Sequence, residues 1–254
     1  AQTISEIAAA AEVGNATVTR LCQGLGYRGF SAFRIALARE SGAPAPDARP
    51  GPAGSAAEVC ERLAQAARQS LADTAALLDA AALDAAARHI AATPRLDIYG
   101  VGNSAAVAQS LAHEFRKLAI VATAISDIDT LAISSATLAA GDVALAISHT
   151  GRTEAVVAAM ERAGTGGAQT LCITHEPASP LGRACGIVLQ YGARPTQISL
   201  SSHRGGSHMG RLAQLLIGDM LCTLIATAHR ERSGSLLDRA RAMVDARRLA
   251  VPRK

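Results

Sequence analysis

"AISHTGRTEAVV" (Ala146–Val157) is the stretch that decides the fold. It extends the apolar run Val143–Ile147, which reads as a fully buried strand, and it passes into a helical pattern near Thr153. Between strand and helix stand the hydroxyls of Ser148, Thr150 and Thr153, with Gly151 where the backbone must approach something closely. A phosphate dianion presents only acceptors. Hydroxyls beside the open N–H groups of a helix start suit it chemically. The same residues would also serve an ordinary Ser/Thr cap on a strand-to-helix turn, so this turn alone leaves both readings open.

A second turn of the same kind narrows the choice. "IYGVGNS" (Ile98–Ser104) ends an earlier apolar run in Gly-x-Gly-x-Ser and opens another helix. Gly100 and Gly102 permit a tight turn, and Ser104 offers a hydroxyl near the positive end of the helix dipole. A dinucleotide fingerprint would need a third glycine, but position 105 is Ala, and no acid follows a second strand in the usual way. No NAD or other cofactor is therefore expected. Two such loops at the carboxyl ends of strands favour a ligand over two unrelated caps, because open α/β sheets bind ligands there. A third segment, "CITHEPASPL" (Cys172–Leu181), supplies Thr174, Ser179, Pro180 and Leu181 and reads as a Pro-stiffened loop that starts a helix.

Working outward, β-like runs fall at Leu96–Gly100, Ile120–Ala124, Val143–Ser148, Thr170–Thr174 and Ile187–Gln190. Helical patterns at Ser104–Leu118, about Ile128–Leu138 and Thr153–Ala163 separate the earlier ones. Apolar strand cores alternating with amphipathic helices predict an α/β fold with a parallel sheet covered on both faces. Before it, Val59, Leu63, Ala67, Ser70, Thr74 and Leu77 mark one face of a helix running to about Asp79, and Leu83–Ala92 follows as a shorter one. After it come a long apolar helix from about Ser207 to Ala228 and a last one over Ser235–Leu249. Residues 41–55 hold four Pro and three Gly and read as a semi-stiff linker. The expected division is thus 1–40, a small helical module; 41–55, a linker; and 56–254, the α/β domain.

In the first module, a helix capped near Thr3 or Ser5, a turn at Val13-Gly14 and a second helix over about Asn15–Gln23 match a helix-turn-helix, with a plain helical hairpin as the alternative that the residues alone leave open. Ile4, Ile7, Val18 and Leu21 are its expected core. Asn15, Thr17, Thr19, Arg20 and Gln23 on the second helix are the expected DNA-contacting residues. The sequence starts at Ala1, already inside a helical pattern, which predicts a truncated module.

Composition sets the outer bounds. The 254 residues are 49% hydrophobic but only 2% aromatic, so the core must be built from Ala, Leu, Val and Ile. A net charge of +4 permits nucleic acid without requiring it. Cys22, Cys60, Cys172, Cys185 and Cys222 are odd in number with no CxxC spacing, which argues for reduced thiols and against disulfides or a zinc site. The most apolar stretch, Leu212–Ala228, is broken by Gln214, Gly218 and Asp219, so no membrane partner is expected and the chain reads as a cytoplasmic protein.

GVGNS, SHTGRT and ITHEPASPL, in this order and spacing, resemble the SIS domain of phosphosugar isomerases and phosphosugar-binding regulators. The resemblance implies a five-stranded parallel sheet flanked by helices, with a sugar phosphate held by Gly102, Asn103, Ser104, Ser148, His149, Thr150, Gly151 and Thr153. The family's second loop usually reads Ser-x-Ser-Gly-x-Thr, and here Thr150 keeps the hydroxyl of the middle Ser. "TVTRLCQGLGYRGFSAFRIAL" resembles the DNA-binding module of RpiR-type transcriptional regulators, which join such a module to an SIS domain. The implied protein is a regulator of sugar metabolism, active as a homodimer or homotetramer, with a DNA operator and a sugar phosphate effector as partners. Gly14 replaces the Ser that commonly caps the second helix in that family.

The rival reading is an SIS-type aldose–ketose phosphosugar isomerase. It would need a base and an acid at the sugar, drawn from His113, Glu114, Glu154, His175, Glu176, His203 or His208. None of these is paired with another by sequence position, and an isomerase has no use for a helix-turn-helix. No catalytic residue and no metal site are therefore expected. The helix Leu212–Thr227 is too hydrophobic to face water all round, so it is expected either to form the dimer contact or to be buried within the monomer.

Overall fold

The computed structural model describes residues 3–33, 55–192 and 208–228, with short helical pieces at 238–239 and 242–243. The expected linker and final helix lie almost wholly outside these residues. Helix α1 (Ile4–Ala10) starts at a capping box: Glu6 N–H donates to the Thr3 hydroxyl at 3.3 Å, and Thr3 N–H donates back to the Glu6 carboxylate at 2.6 Å. A turn containing Glu12 at φ 53° leads to α2 (Asn15–Gly24), and a further helix begins at residue 30. Ala8, Val18, Cys22 and Phe30 form the small core, with Ile4, Ile7, Tyr27 and Phe33 packed around it. Leu21, expected in that core, is 61% exposed, whereas Cys22 is 1% exposed. The inward stripe of α2 runs from Val18 to Cys22 at i, i+4, and Leu21 is turned away from Cys22 by about 100° of helix.

The larger unit opens with α3 (Ala56–Leu77), capped by Ser55, and α4 (Ala80–Ala92), capped by Asp79. Then β1 (Leu96–Tyr99), α5 (Asn103–Lys117), β2 (Ala122–Ile125), α6 (Ile128–Thr137), β3 (Val143–Ser148), α7 (Glu154–Thr165), β4 (Gln169–Thr174), α8 (Pro180–Ala184) and β5 (Ile187–Gln190) alternate, and α9 (His208–Ala228) follows. The five strands pair in parallel in the order β2-β1-β3-β4-β5. The expected α/β fold with a five-stranded parallel sheet is therefore present, and each strand lies within two residues of its expected bounds. The largest shift is β2, which starts at Ala122 and not Ile120. Ala119 sits at φ 59° and Ile120 N–H closes onto Phe115 O at 3.2 Å, so these residues finish α5 before the chain turns into the sheet.

Strand pleating divides the interior into two layers. Leu96, Ile98, Leu145, Ile147, Leu171, Ile173 and Leu189 face α4, α5 and α9, while Tyr99, Ala144, Ala146 and Cys172 face α6, α7 and α8. Burial on both sides explains why these strands are apolar throughout and do not alternate. α9 is long and apolar enough to span a membrane by length and composition, yet Ala213, Ile217, Leu221 and Ile225 on it are buried in the first layer. All five cysteines are thiols. Burial pushes Cys222 up to about 12.

Polar groups at two places are buried with partners. Asp97 on β1 is bound by Arg95 at 2.6 Å and by the Ser134 hydroxyl, which also meets Tyr99 Oη at 2.9 Å. Behind β5, the backbone of Gly192 is held by α3: the Ser70 hydroxyl donates to Gly192 O at 2.7 Å, and Gly192 N–H donates to the Thr74 hydroxyl at 3.1 Å. Thr74→Val keeps the shape, removes that acceptor and strands a buried N–H. It is expected to cost about 1–3 kcal/mol in urea unfolding, with an unchanged m-value.

Candidate functional site

Strand order places the site. Connections leave β1 and β3 toward opposite faces of the sheet, so a crevice opens between the carboxyl ends of these neighbours. Both Gly-hydroxyl turns of the sequence sit there. After β1 the chain turns through Gly100 and Gly102. A Cβ on Gly100 would lie 2.6 Å from Ser104 O, so only glycine lets α5 begin so close to the strand. Gly102, at φ 61°, is the N-cap of α5 and makes no side-chain cap bond. Asn103 is exposed and Ser104 half-buried at the first turn of the helix.

After β3, the loop is fastened from below and behind. Ser148 is 5% exposed, and its hydroxyl accepts Gly151 N–H at 3.1 Å. Gly151 sits at φ 62°, and a Cβ there would lie 2.0 Å from Ser179 Oγ. Leu181 N–H donates to Gly151 O at 3.1 Å, so the segment after β4 braces the loop after β3. Ser179 itself caps α8, accepting Gly182 N–H at 3.2 Å. Thr150 is half-buried and Thr153 exposed. Thr153 is the N-cap of α7, but its side chain makes no capping bond. The plain-cap reading of this turn thus fails at the residue that should carry it, and the hydroxyl stands beside the helix start.

The structure brings together Gly102, Asn103 and Ser104 on one turn and Ser148, His149, Thr150, Gly151 and Thr153 on the other, at adjacent strand ends. It adds residues that the sequence reading did not single out. His149 Nδ1 lies 2.8 Å from the hydroxyl of Tyr191, just past β5, and Gln214 Nε2 on α9 donates to that hydroxyl at 2.7 Å. Burial pushes the Tyr191 phenol well above its ordinary value, so it keeps its proton at neutral pH. Gln214 was visible only as a polar break in an apolar run, and Tyr191 only as a rare aromatic after a strand. At the mouth, Arg152 and Glu176 form an ion pair at 3.5 Å.

Other expected candidates stand apart from the turns. His113 is exposed, about 14 Å along α5 from Ser104 at 1.5 Å per residue. Glu114 is paired with Lys117. His203 and the side chain of His208 lie outside the described residues. Among the described residues no group of three or more His, Cys, Asp or Glu could hold a metal ion.

In the helical module, Asn15, Thr17, Arg20 and Gln23 are exposed along α2. Thr19 is half-buried and its hydroxyl donates to Asn15 O at 3.0 Å, which ties it to its own helix. Arg28, just beyond α2, pairs with Asp79 at the start of α4 and holds that carboxyl below its ordinary value.

Comparison with known proteins follows these divisions. Residues 89–224 match the SIS domain, and residues 1–44 match the helix-turn-helix domain of the rpiR family. An uncharacterized HTH-type transcriptional regulator of Caldanaerobacter subterraneus is 31% identical over 228 residues, spanning 88% of this chain and 78% of the relative. The HTH-type transcriptional regulator RpiR of Escherichia coli K12 is 25% identical over 248 residues, 96% of this chain and 82% of the relative. Among solved structures, the Vibrio vulnificus NanR protein complexed with ManNAc-6P superposes with a TM-score of 0.67 at 28% identity, covering 96% of this chain and 86% of that one.

The Gly151 contact gives a direct test of the brace. Gly151→Ala must displace buried Ser179 and is expected to cost about 2 kcal/mol or more in chemical denaturation. Gly141→Ala, also at positive φ but with nothing within 4 Å of its Cβ, should lose only about 1 kcal/mol.

Proposed function

This chain belongs to the RpiR family of helix-turn-helix transcriptional regulators that carry an SIS domain, and from that premise we propose that a sugar phosphate bound at the β1/β3 edge controls its binding to an operator. The observation that carries this reading is the pair of glycine-permitted turns at one switch point, each presenting hydroxyls at a helix N-terminus. On this reading Gly102, Asn103, Ser104, His149, Thr150, Gly151 and Thr153 surround the phosphate. Ser148 shapes the loop by accepting Gly151 N–H while its own proton can still be donated. The likeness to NanR, whose structure holds ManNAc-6P, supports a phosphosugar as the ligand class.

Residues 1–40 act as the DNA-binding module, 41–55 as the linker and 56–254 as the effector domain. Asn15, Thr17, Arg20 and Gln23 face DNA from α2. Thr19 belongs to the same set by position, but its hydroxyl already serves Asn15 O. The protein is a sensor and not an isomerase, acting in the cytoplasm as a homodimer or homotetramer.

A thermal-shift screen of the chain against sugar phosphates, with free sugars and NAD as controls, tests the effector half. Ligand at about a hundred times its dissociation constant should add roughly 2.7 kcal/mol of stability. Thr153→Ala, which breaks no capping bond, should leave the unliganded melting point in place and lose most of the shift. No shift with any phosphate in the wild-type chain would sink the reading. For the DNA half, Arg20→Ala should weaken operator binding and flatten its salt dependence by about one unit of slope.

A further inference from the structure

The turns after β3 and β4 are fastened to each other through their backbones. His175 N–H donates to His149 O at 3.2 Å, and Leu181 N–H donates to Gly151 O at 3.1 Å. Within the second turn, Glu176 N–H donates to the buried Thr174 hydroxyl at 3.3 Å, and Ser179 N–H donates to Glu176 O at 3.0 Å. The main chain at positions 152 and 176 is thus held on a common frame. The side chains there are not buried. Arg152 is 64% and Glu176 39% exposed, and their ion pair at 3.5 Å bridges the two turns across the mouth.

Arg152 stands between Gly151, whose φ of 62° turns the chain, and Thr153, the N-cap of α7. Its Cα is about 3.8 Å from that of Thr153, well inside the reach of an arginine side chain. Among the described residues of the turns at 100–104, 148–154 and 174–180, it is the one Lys or Arg. An anion held at these turns by hydroxyls and helix N–H groups therefore has one guanidinium on its own turns, and that guanidinium is directed to Glu176. A phosphate monoester carries a charge of about −1.5 to −2 and three acceptor oxygens, so it is a stronger partner than a carboxylate for the planar fork. An exposed ion pair of this length is weak, and exchanging it costs little.

We propose that Glu176 is an internal competitor for the effector's phosphate: Arg152 leaves Glu176 for the phosphate when the effector binds, and the ion pair sets how tightly any phosphate is held. This rests on the sugar-phosphate reading above. The exchange acts on the anion and not on the sugar, so inorganic phosphate feels it as well. Because the carboxylate is the rival, deleting its charge tightens binding, whereas deleting a group that contacts the ligand weakens it.

Calorimetry on the full chain with inorganic phosphate, glucose 6-phosphate, N-acetylglucosamine 6-phosphate and ribose 5-phosphate tests the exchange in wild type, Glu176→Gln, Arg152→Ala and the double variant. Both side chains are exposed, so the melting points of the variants are expected to stay near wild type. Glu176→Gln is expected to bind inorganic phosphate and the tightest of the sugar phosphates about three- to fivefold more tightly. Arg152→Ala is expected to bind both about tenfold more weakly. In the Arg152→Ala background the gain from Glu176→Gln should fall below about twofold, the share left to direct charge repulsion. Unchanged or weaker binding of inorganic phosphate in Glu176→Gln overturns the exchange. So does a gain as large in the Arg152→Ala background as in wild type, which would make Glu176 a simple repulsive charge. Weaker binding of sugar phosphates alone in Glu176→Gln also overturns it and assigns the carboxylate to the sugar. If neither the wild-type chain nor Glu176→Gln binds any of the four, the sugar-phosphate reading falls together with the exchange; binding by the wild type without the gain removes the exchange alone.

Discussion

Parallel pairing of neighbouring strands in one register is the constraint on which the rest depends. It sends every carboxyl end to the same edge of the sheet and makes the residues that follow β1, β3 and β4 neighbours, although they are distant in sequence. Between β1 and β3 the connections part to opposite faces, which opens a crevice at their carboxyl ends. The glycines at 100 and 151 matter because of this crowding. One makes room for the backbone of α5, the other for Ser179, and neither position could carry a Cβ without moving buried structure.

The polar residues in the interior do two kinds of work. Asp97, bound by Arg95 and Ser134, lies beside the second layer, and every atom it offers is spent on internal partners. Removing one partner would strand a buried charge, which is costly; the pair as a whole adds little net stability. Tyr191 is different. Its hydroxyl and its carbonyl both point to rings at the carboxyl edge, and the next residue is locked to α3. Tyr191 is fully buried in the first layer, and its polar atoms also orient two half-exposed histidine rings.

The fold was legible because its signals were local. Apolar strands, glycine turns and helix caps are each written within about ten residues, and β3 and β5 fell where their apolar runs lie. The β2 boundary was missed because a helix can close in a left-handed residue without glycine, as Ala119 does. Leu21 was misplaced because i, i+3 and i, i+4 spacings both fit a short amphipathic helix, and tertiary packing chose Cys22. The hydroxyl turns of the site were legible for the same local reason. Tyr191 and Gln214 were not: they reach His149 across 42 residues in one case and reach each other across 23 in the other, and no periodicity encodes such a meeting.

If an effector at this edge is to change DNA binding, it must be bound with different affinity in two arrangements of the protein, since equal affinity shifts nothing. Among the described residues a chain of contacts links the turn after β3 to α3. His149, on the turn after β3, meets Tyr191, and Gly192 is bonded to Ser70 and Thr74 on α3. α3 begins at Ser55, the first described residue after the segment that leads from the helix-turn-helix. At the other end of that module, Arg28 pairs with Asp79 between α3 and α4. The helical module therefore meets the α/β domain beside the C-terminal end of α3, and α3 is anchored to the residue following Tyr191. The Arg28–Asp79 pair is exposed on both sides and weak in itself, so it can break and re-form without disturbing either core.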